Sequence, residues 1–208
     1  MSYATLADRD RIETESTWEA RDVPVTTWDM LSRTASSFGA RPAVTFQMFS
    51  GEKDKAETLS WDELRAQTAQ VANMFRNLGV GENDVVAYVL PNATETILTY
   101  LAGQVAGIVN PINPLLEPEQ IGAILRETGA KVVVTLRAFP KTDVAQKVAE
   151  AVALAPGVKT VVEVDLLRYL TGVKRLIVPV IRPKNPVSHN AKVVDFRQMM
   201  AEQARLSV

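Results

Sequence analysis

Residues Leu59 to Leu136 read LSWDELRAQTAQVANMFRNLGVGENDVVAYVLPNATETILTYLAGQVAGIVNPINPLLEPEQIGAILRETGAKVVVTL, and this stretch decides the fold. Three helical patterns alternate in it with three short apolar runs. Ser60 precedes Glu63 by three residues, the spacing at which a serine hydroxyl accepts from the backbone N–H of the glutamate while the carboxylate accepts in return. Trp61, Leu64, Thr68, Val71, Phe75 and Leu78 then share one helix face, and Gly79 supplies a left-handed stop. Asp84 to Leu90 is a continuous apolar run, the signature of a strand covered on both faces. The second helix takes Asn92 as its cap, with Glu95 three residues on and Ile97, Leu98, Leu101 and Val105 following. Gly103 and Gly107, four apart, allow this helix to approach a neighbour closely. Gly107 to Ile112 is a short strand that ends in the rigid turn Asn110-Pro111-Ile112-Asn113-Pro114. Pro118 opens a third helix at a first-turn position, Gly129 stops it, and Lys131 to Leu136 is the third strand. Strands and helices at this spacing make right-handed βαβ units, so the strands lie parallel in one sheet.

Outward from this block the pattern continues. On the N-terminal side, Val25 to Phe38 is helical, with Thr27 as its N-cap and Gly39 as its stop, and Pro42 to Phe49 is rich in strand formers. Ser50 to Glu57 is a polar turn, with Thr58-Leu59 on the return strand. Residues 1 to 24 are a polar lead-in in which Trp18 is the largest apolar side chain. On the C-terminal side, Thr142 to Ala155 is a helix and Lys159 to Val164 a strand. The fold class is therefore α/β, a mostly parallel β-sheet covered by helices, with its core in residues 25 to 165. Residues 166 to 194 form a basic, proline-broken insert, and residues 195 to 208 carry a terminal helix from Phe196 to Leu206.

Composition excludes several functions. With 47% hydrophobic and 23% charged residues the chain is an ordinary globular sequence, and a net charge of -1 gives no global field for nucleic acid. The absence of cysteine removes disulfides, thiolate metal sites and a cysteine nucleophile. The first 23 residues contain no apolar core of signal-peptide length, and a cytoplasmic location is the expectation. No G-x-x-x-x-G-K-[ST] loop or G-x-G-x-x-G fingerprint is present, and Gly79-Val-Gly81 follows a helix rather than a strand. No G-x-S-x-G elbow appears. His189, the single histidine, sits in a Pro/Asn/Ser stretch without a metal-ligand partner at helical spacing. Asp62 with Glu63, and Glu117 with Glu119, fall in first turns where helix dipoles and caps account for them. The turn at Asn110 and Asn113 lies at a carboxyl end of a parallel strand, where such sheets bind ligands, although prolines that fix a sharp exit explain it without a ligand.

The order LSWDEL, NLGVGENDVVAYVLPN, AGQVAGIVNPINPLLEPEQIGAIL and GAKVVVT, preceded by ARPAVTF, resembles the N-terminal part of the AMP-forming acyl-CoA synthetases, the acyl-adenylate-forming ligase superfamily. The resemblance spans most of residues 25 to 165. It implies a parent enzyme that joins a carboxylic acid to coenzyme A through an acyl-adenylate, with ATP, Mg2+ and coenzyme A as cofactors. The Thr/Ser/Gly-rich phosphate loop with its lysine, and the later aspartate, arginine and lysine motifs of that family, have no counterpart here. No catalytic, cofactor-binding or metal residue is therefore assigned. The chain is expected to be an N-terminal fragment without adenylating activity of its own, or, alternatively, a complete non-catalytic interaction module that reuses the fold. A fragment of this kind exposes sheet edges and an apolar face, so self-association is expected.

The insert bears on the substrate. From Leu166 to Val194 it carries Arg168, Lys174, Arg175, Arg182, Lys184 and Lys192 and no acid. It resembles an excursion of the long-chain fatty-acid members, which implies a fatty acid substrate and a membrane-peripheral setting. Leu167, Leu170, Val173, Leu176, Ile177 and Val180 can form an apolar face flanked by cations, an arrangement suited to anionic lipid. The residues expected at such a contact are Arg168, Lys174, Arg175, Leu176, Ile177, Arg182 and Lys184. The competing expectation is an excursion packed on further parts of the parent.

Overall fold

The computed structural model describes residues 4–51, 54–186 and 191–205. Its centre is a five-stranded, wholly parallel sheet of β3 (Val85–Val89), β4 (Ile108–Pro111), β5 (Ala130–Leu136), β6 (Thr160–Val164) and β7 (Lys192–Asp195), in the order β4-β3-β5-β6-β7. Two of the three apolar runs become the interior strands β3 and β5, and the third becomes the outer strand β4. Val86, Val89, Val132, Val133, Val134 and Val162 are fully buried. Each such side chain contributes roughly 1.5–3 kcal/mol relative to an exposed one.

Helices cover both faces. α5 (Pro118–Thr128) and α6 (Val144–Ala153) pack together on one, while α2 (Thr27–Phe38), α3 (Trp61–Asn77), α4 (Thr94–Ala106) and α8 (Phe196–Ala201) form a layer on the other. The division follows from connectivity. A right-handed crossover from β3 to its neighbour β4 runs in the opposite direction from those that build β5, β6 and β7, so its helix falls on the opposite face. An antiparallel hairpin of β1 (Pro42–Gln47) and β2 (Ala56–Ser60) packs on α3.

The punctuation of the central block holds in most places. The N–H of Glu63 donates to Ser60 Oγ at 3.2 Å and the N–H of Ser60 to Glu63 Oε2 at 2.8 Å, a cap that stabilises α3 by about 1 kcal/mol. Gly79 (φ 85) and Gly129 (φ 66) take the left-handed stops, and Pro118 opens α5. Gly103 provides the expected close approach, and the neighbour is the following strand: a β-carbon there would lie 2.8 Å from Cβ of Val109.

Several boundaries differ from the sequence expectation. Thr26, not Thr27, caps α2, accepting from the N–H of Asp29 at 3.0 Å, while the Thr27 hydroxyl donates to Gln104 Oε1. Asn92 does not cap α4, whose N-cap is Ala93. The polar lead-in contains α1 (Leu6–Glu15), held by a Thr5/Asp8 capping box and burying none of its residues. The sheet does not end at 165: Lys192 to Val194, expected within the insert, and Asp195, expected in the terminal segment, pair with β6 as β7. Exposure of Lys192 and Val193 is what edge strands show, and it hides them from an apolar-run search. α8 ends at Ala201, and Leu206 lies outside the described residues.

Candidate functional site

In a parallel sheet whose strand order reverses, ligands bind beyond the carboxyl ends of the strands at the reversal. Here the chain goes from β3 outward to β4, then crosses back to β5, so the reversal lies between β3 and β5. The first turn of α4, which follows β3, is occupied by the protein's own charges. Glu95 is completely buried. Its Oε2 accepts from the Tyr169 hydroxyl at 2.6 Å, its Oε1 from Arg197 Nε at 2.8 Å, and Arg168 Nη1 lies 3.2 Å from the same Oε1. Glu57, on β2, accepts from both terminal nitrogens of Arg168 and from the Thr94 hydroxyl. The N–H of Thr94 donates to the Tyr169 oxygen at 3.3 Å.

Two carboxylates thus meet two guanidinium groups and a phenol, drawn from β2, α4, the 3-10 turn Leu166–Tyr169 after β6, and α8 after β7. Burial raises the Glu57 pKa, but the hydrogen bonds from Arg168 and Thr94 outweigh it and hold the carboxyl below its ordinary value. Burial, reinforced by the Glu95 carboxylate, pushes the Tyr169 phenol well up, so it stays a donor. The Tyr169 ring stacks edge-on to Phe46 at 4.8 Å, tying the cluster to the hairpin.

A second polar cluster lies beyond β5, β6 and β7. Arg137 Nε donates to Glu163 Oε2 at 3.1 Å and its Nη1 lies 3.5 Å from Asp165 Oδ2. Asn185 Nδ2 donates to both Glu163 oxygens, and Asn185 Oδ1 accepts from the N–H of Ala138 at 2.8 Å. Arg182 Nη2 donates to Asp165 Oδ1 at 2.7 Å. Burial acts to raise the Asp165 pKa, yet the Arg182 bond and the N–H of Leu167 hold it below the usual range. This network fastens residues 182–185 across the strand ends. Among the described residues no group of acids and histidines is arranged to hold a metal ion.

The residues expected at a lipid contact divide into two sets. Arg168 and Arg182 turn inward, into the first and second clusters. Lys174 lies 3.8 Å above the Phe49 ring and 4.0 Å from Asp54. Leu176 and Ile177 stand outward on α7 (Gly172–Ile181), with Leu176 75% and Val180 83% exposed, and no residue of α7 is buried. Leu170, expected on the same apolar face, is buried instead: it follows the 3-10 turn rather than continuing the helix. Lys184 is exposed, and His189 lies outside the described residues. Arg175 lines a cleft of about 420 Å³ with Lys55, Glu57, Thr58, Arg168, Tyr169 and Thr171. No described helix is long and apolar enough to cross a membrane.

Comparison with known proteins places this geometry. The AMP-binding enzyme family profile matches residues 31–190, most of the chain. The chain belongs to the AMP-binding enzyme family. Among its relatives, a probable peroxisomal acyl-activating enzyme 12 of Arabidopsis thaliana is 29% identical over 122 residues, which are 58% of this chain and 20% of that enzyme. An acetyl-coenzyme A synthetase of Methylobacterium radiotolerans is 33% identical over 104 residues, 48% of this chain and 16% of that enzyme. The crystal structure of the anthranilate CoA ligase AuaEII with anthranoyl-AMP superposes with a TM-score of 0.63 at 17% identity, covering 89% of this chain and 29% of AuaEII. The chain spans about a fifth of the length of the curated relatives it matches. Its α/β fold, a parallel sheet flanked by helices, is that of the N-terminal part of an adenylate-forming ligase.

Members of the AMP-binding enzyme family handle an adenylate; at the strand reversal of this chain the first turn of α4 is already filled by the protein's own side chains. Where a phosphate would meet the first turn of α4, the buried Glu95 carboxylate is present, backed by Tyr169. Arg168 and Arg197 neutralise that carboxylate, and the N–H of Thr94 in the same turn already donates to Tyr169. The charged groups at these strand ends pair with one another and tie β2, α4, the turn after β6 and α8 together.

Proposed function

We propose that the chain serves as the N-terminal scaffold of an AMP-forming acid–CoA ligase, whose overall reaction turns a carboxylic acid, ATP and coenzyme A into acyl-CoA, AMP and diphosphate. The observation that carries this reading is the family match across residues 31–190 on a sheet whose strand-end charges pair with each other. ATP with Mg2+, and coenzyme A, bind to other parts of such an enzyme, and these 208 residues alone are catalytically silent. Acid-dependent exchange of labelled pyrophosphate into ATP tests the proposal with acetate, benzoate and a long-chain fatty acid as substrates. The 208 residues alone give no exchange, while the natural polypeptide that contains them gives exchange with at least one acid. Exchange by the 208 residues, or silence of the natural polypeptide with every acid, overturns it.

The acid is a finer matter. The names of the relatives extend from acetate to anthranilate, so the relationship selects no acid class. The feature that favours a fatty acid and a peripheral membrane setting is α7, whose Val173, Leu176, Ile177, Val180 and Ile181 are all exposed. An apolar helical arc of this kind inserts at the headgroup boundary of a bilayer. Vesicle flotation decides: retention by anionic vesicles that Leu176→Gln with Val180→Gln abolishes supports the membrane reading, and equal, negligible flotation of both proteins removes it.

A further inference from the structure

The cleft of about 420 Å³ between β2 and α7 lies on the inner side of α7, away from its apolar arc. At 100° per residue, Arg175 points nearly opposite to Val173 and Val180. Its lining combines Lys55 just before β2, Arg168 and Tyr169 from the turn after β6, Thr171 at the N-cap of α7 and Arg175 within α7. Arg168 spends its charge on Glu57 and Glu95. Lys55 and Arg175 have no hydrogen bond or ion pair among the described residues, and both are exposed. The one carboxylate in the lining, Glu57, has its oxygens engaged by Arg168 and Thr94. The cleft therefore carries two uncompensated positive charges from two different elements.

We propose that this cleft binds a phosphate-class dianion, the terminal group of a phosphorylated small molecule or lipid. Charge selects the class: two unpaired cations match a dianion better than a single carboxylate. The donor set agrees, because a lysine, a guanidinium and the Thr171 hydroxyl are contributed by two separate segments of the lining, and together they can donate to more than one oxygen of a tetrahedral anion. Thr171 is the N-cap residue of α7 but makes no side-chain cap, so its hydroxyl is uncommitted. The volume exceeds what one inorganic phosphate fills and lies within the usual range for small-molecule sites. The place agrees as well, beyond the carboxyl end of a parallel strand. This assignment does not depend on the ligase reading, since it concerns binding alone and uses none of the ligase reaction.

Titration calorimetry in low-salt buffer tests it on the 208-residue chain, with methyl phosphate as the probe and methyl carboxylate (acetate) as the comparison. Saturable one-site binding of methyl phosphate, tighter than acetate, is expected. The double variant Lys55→Gln/Arg175→Gln, whose exposed positions leave folding intact, binds about tenfold or more weakly, as expected when two charge-assisted contacts are lost. Lys159→Gln, a cation placed before β6, binds as the unsubstituted chain does. Vesicles of phosphatidic acid and of phosphatidylcholine separate the sources: retention on phosphatidic acid alone, abolished by the double variant, identifies a lipid headgroup, while methyl phosphate binding without retention identifies a soluble phosphate ester. Absence of saturation with both probes, undiminished affinity in the double variant, or equal weakening by Lys159→Gln overturns the proposal.

Discussion

Glu95 is the most heavily committed side chain of the molecule. A fully buried carboxylate is tolerated only when charge partners and hydrogen bonds replace the water it loses, and Arg168, Arg197 and Tyr169 do so. Glu95→Ala would leave two guanidinium groups facing a void, and a loss of about 3–5 kcal/mol in urea unfolding is expected; a loss under 1 kcal/mol would show that the cluster is solvated in solution. Glu57 gives a pH-dependent counterpart. Its pKa is lower in the folded chain than the ordinary 4.5, so the stability it supplies is fully present above that value and disappears as pH falls through the depressed folded value. Glu57→Gln is accordingly less stable than the unsubstituted chain at pH 7, and the gap closes on acidification below about pH 4; denaturation midpoints measured across that range check it, and a constant gap would contradict it. Neither role was legible in the sequence. Glu95 stands three residues after Asn92, which reads as a local cap, whereas its partners Tyr169 and Arg197 lie 74 and 102 residues away. Spacing carries no signal for contacts of that range; only the departure of an acid into a buried first turn marks it.

Elements were more readable than residues because their signals are local. The Ser60/Glu63 box, Pro118 at the start of α5 and the glycine stops at 79 and 129 each act within one turn of chain. Elements without an apolar pattern are not legible in the same way: β7 is a short exposed edge strand, and the α1 helix is stabilised by Thr5 and Asp8 without burying a face. Two glycines separate the two kinds of constraint. Gly129 has φ 66 with nothing within 4 Å of an added β-carbon, so Gly129→Ala incurs only left-handed backbone strain of about 1 kcal/mol. Gly103 has ordinary helical geometry, but its β-carbon would overlap Val109. Overpacking of about 1–3 kcal/mol then exceeds the helix-propensity gain of about 1 kcal/mol from alanine. Thermal unfolding of both variants should show Gly103→Ala losing stability despite that gain. A stabilised Gly103→Ala would mean that β4, an edge strand, shifts freely away from α4.

At the scale of the whole molecule, the sheet is complete in its interior and open at its margins. Both outer strands are short, with Ile108 of β4 49% and Val193 of β7 43% exposed, and α7 adds a continuous apolar arc. Unpaired strand edges and clustered apolar surface both lower the free energy of association, the first by offering backbone hydrogen bonds and the second by removing apolar area from water. The parallel core was recoverable from sequence because buried strands are apolar throughout; the destination of α7 was not, since periodicity reveals an apolar arc but not what lies against it. Reversible self-association of the 208-residue chain is therefore expected in sedimentation velocity, growing with concentration. Leu176→Gln with Val180→Gln removes the two most exposed apolar side chains of the arc while touching nothing buried, so it shifts the distribution towards monomer and leaves unfolding within about 0.5 kcal/mol. If the double variant associates as strongly as the unsubstituted chain, the edges rather than α7 drive assembly, and Val193→Lys on β7 is then the substitution that disperses it; a purely monomeric profile for the unsubstituted chain at high concentration rejects both routes.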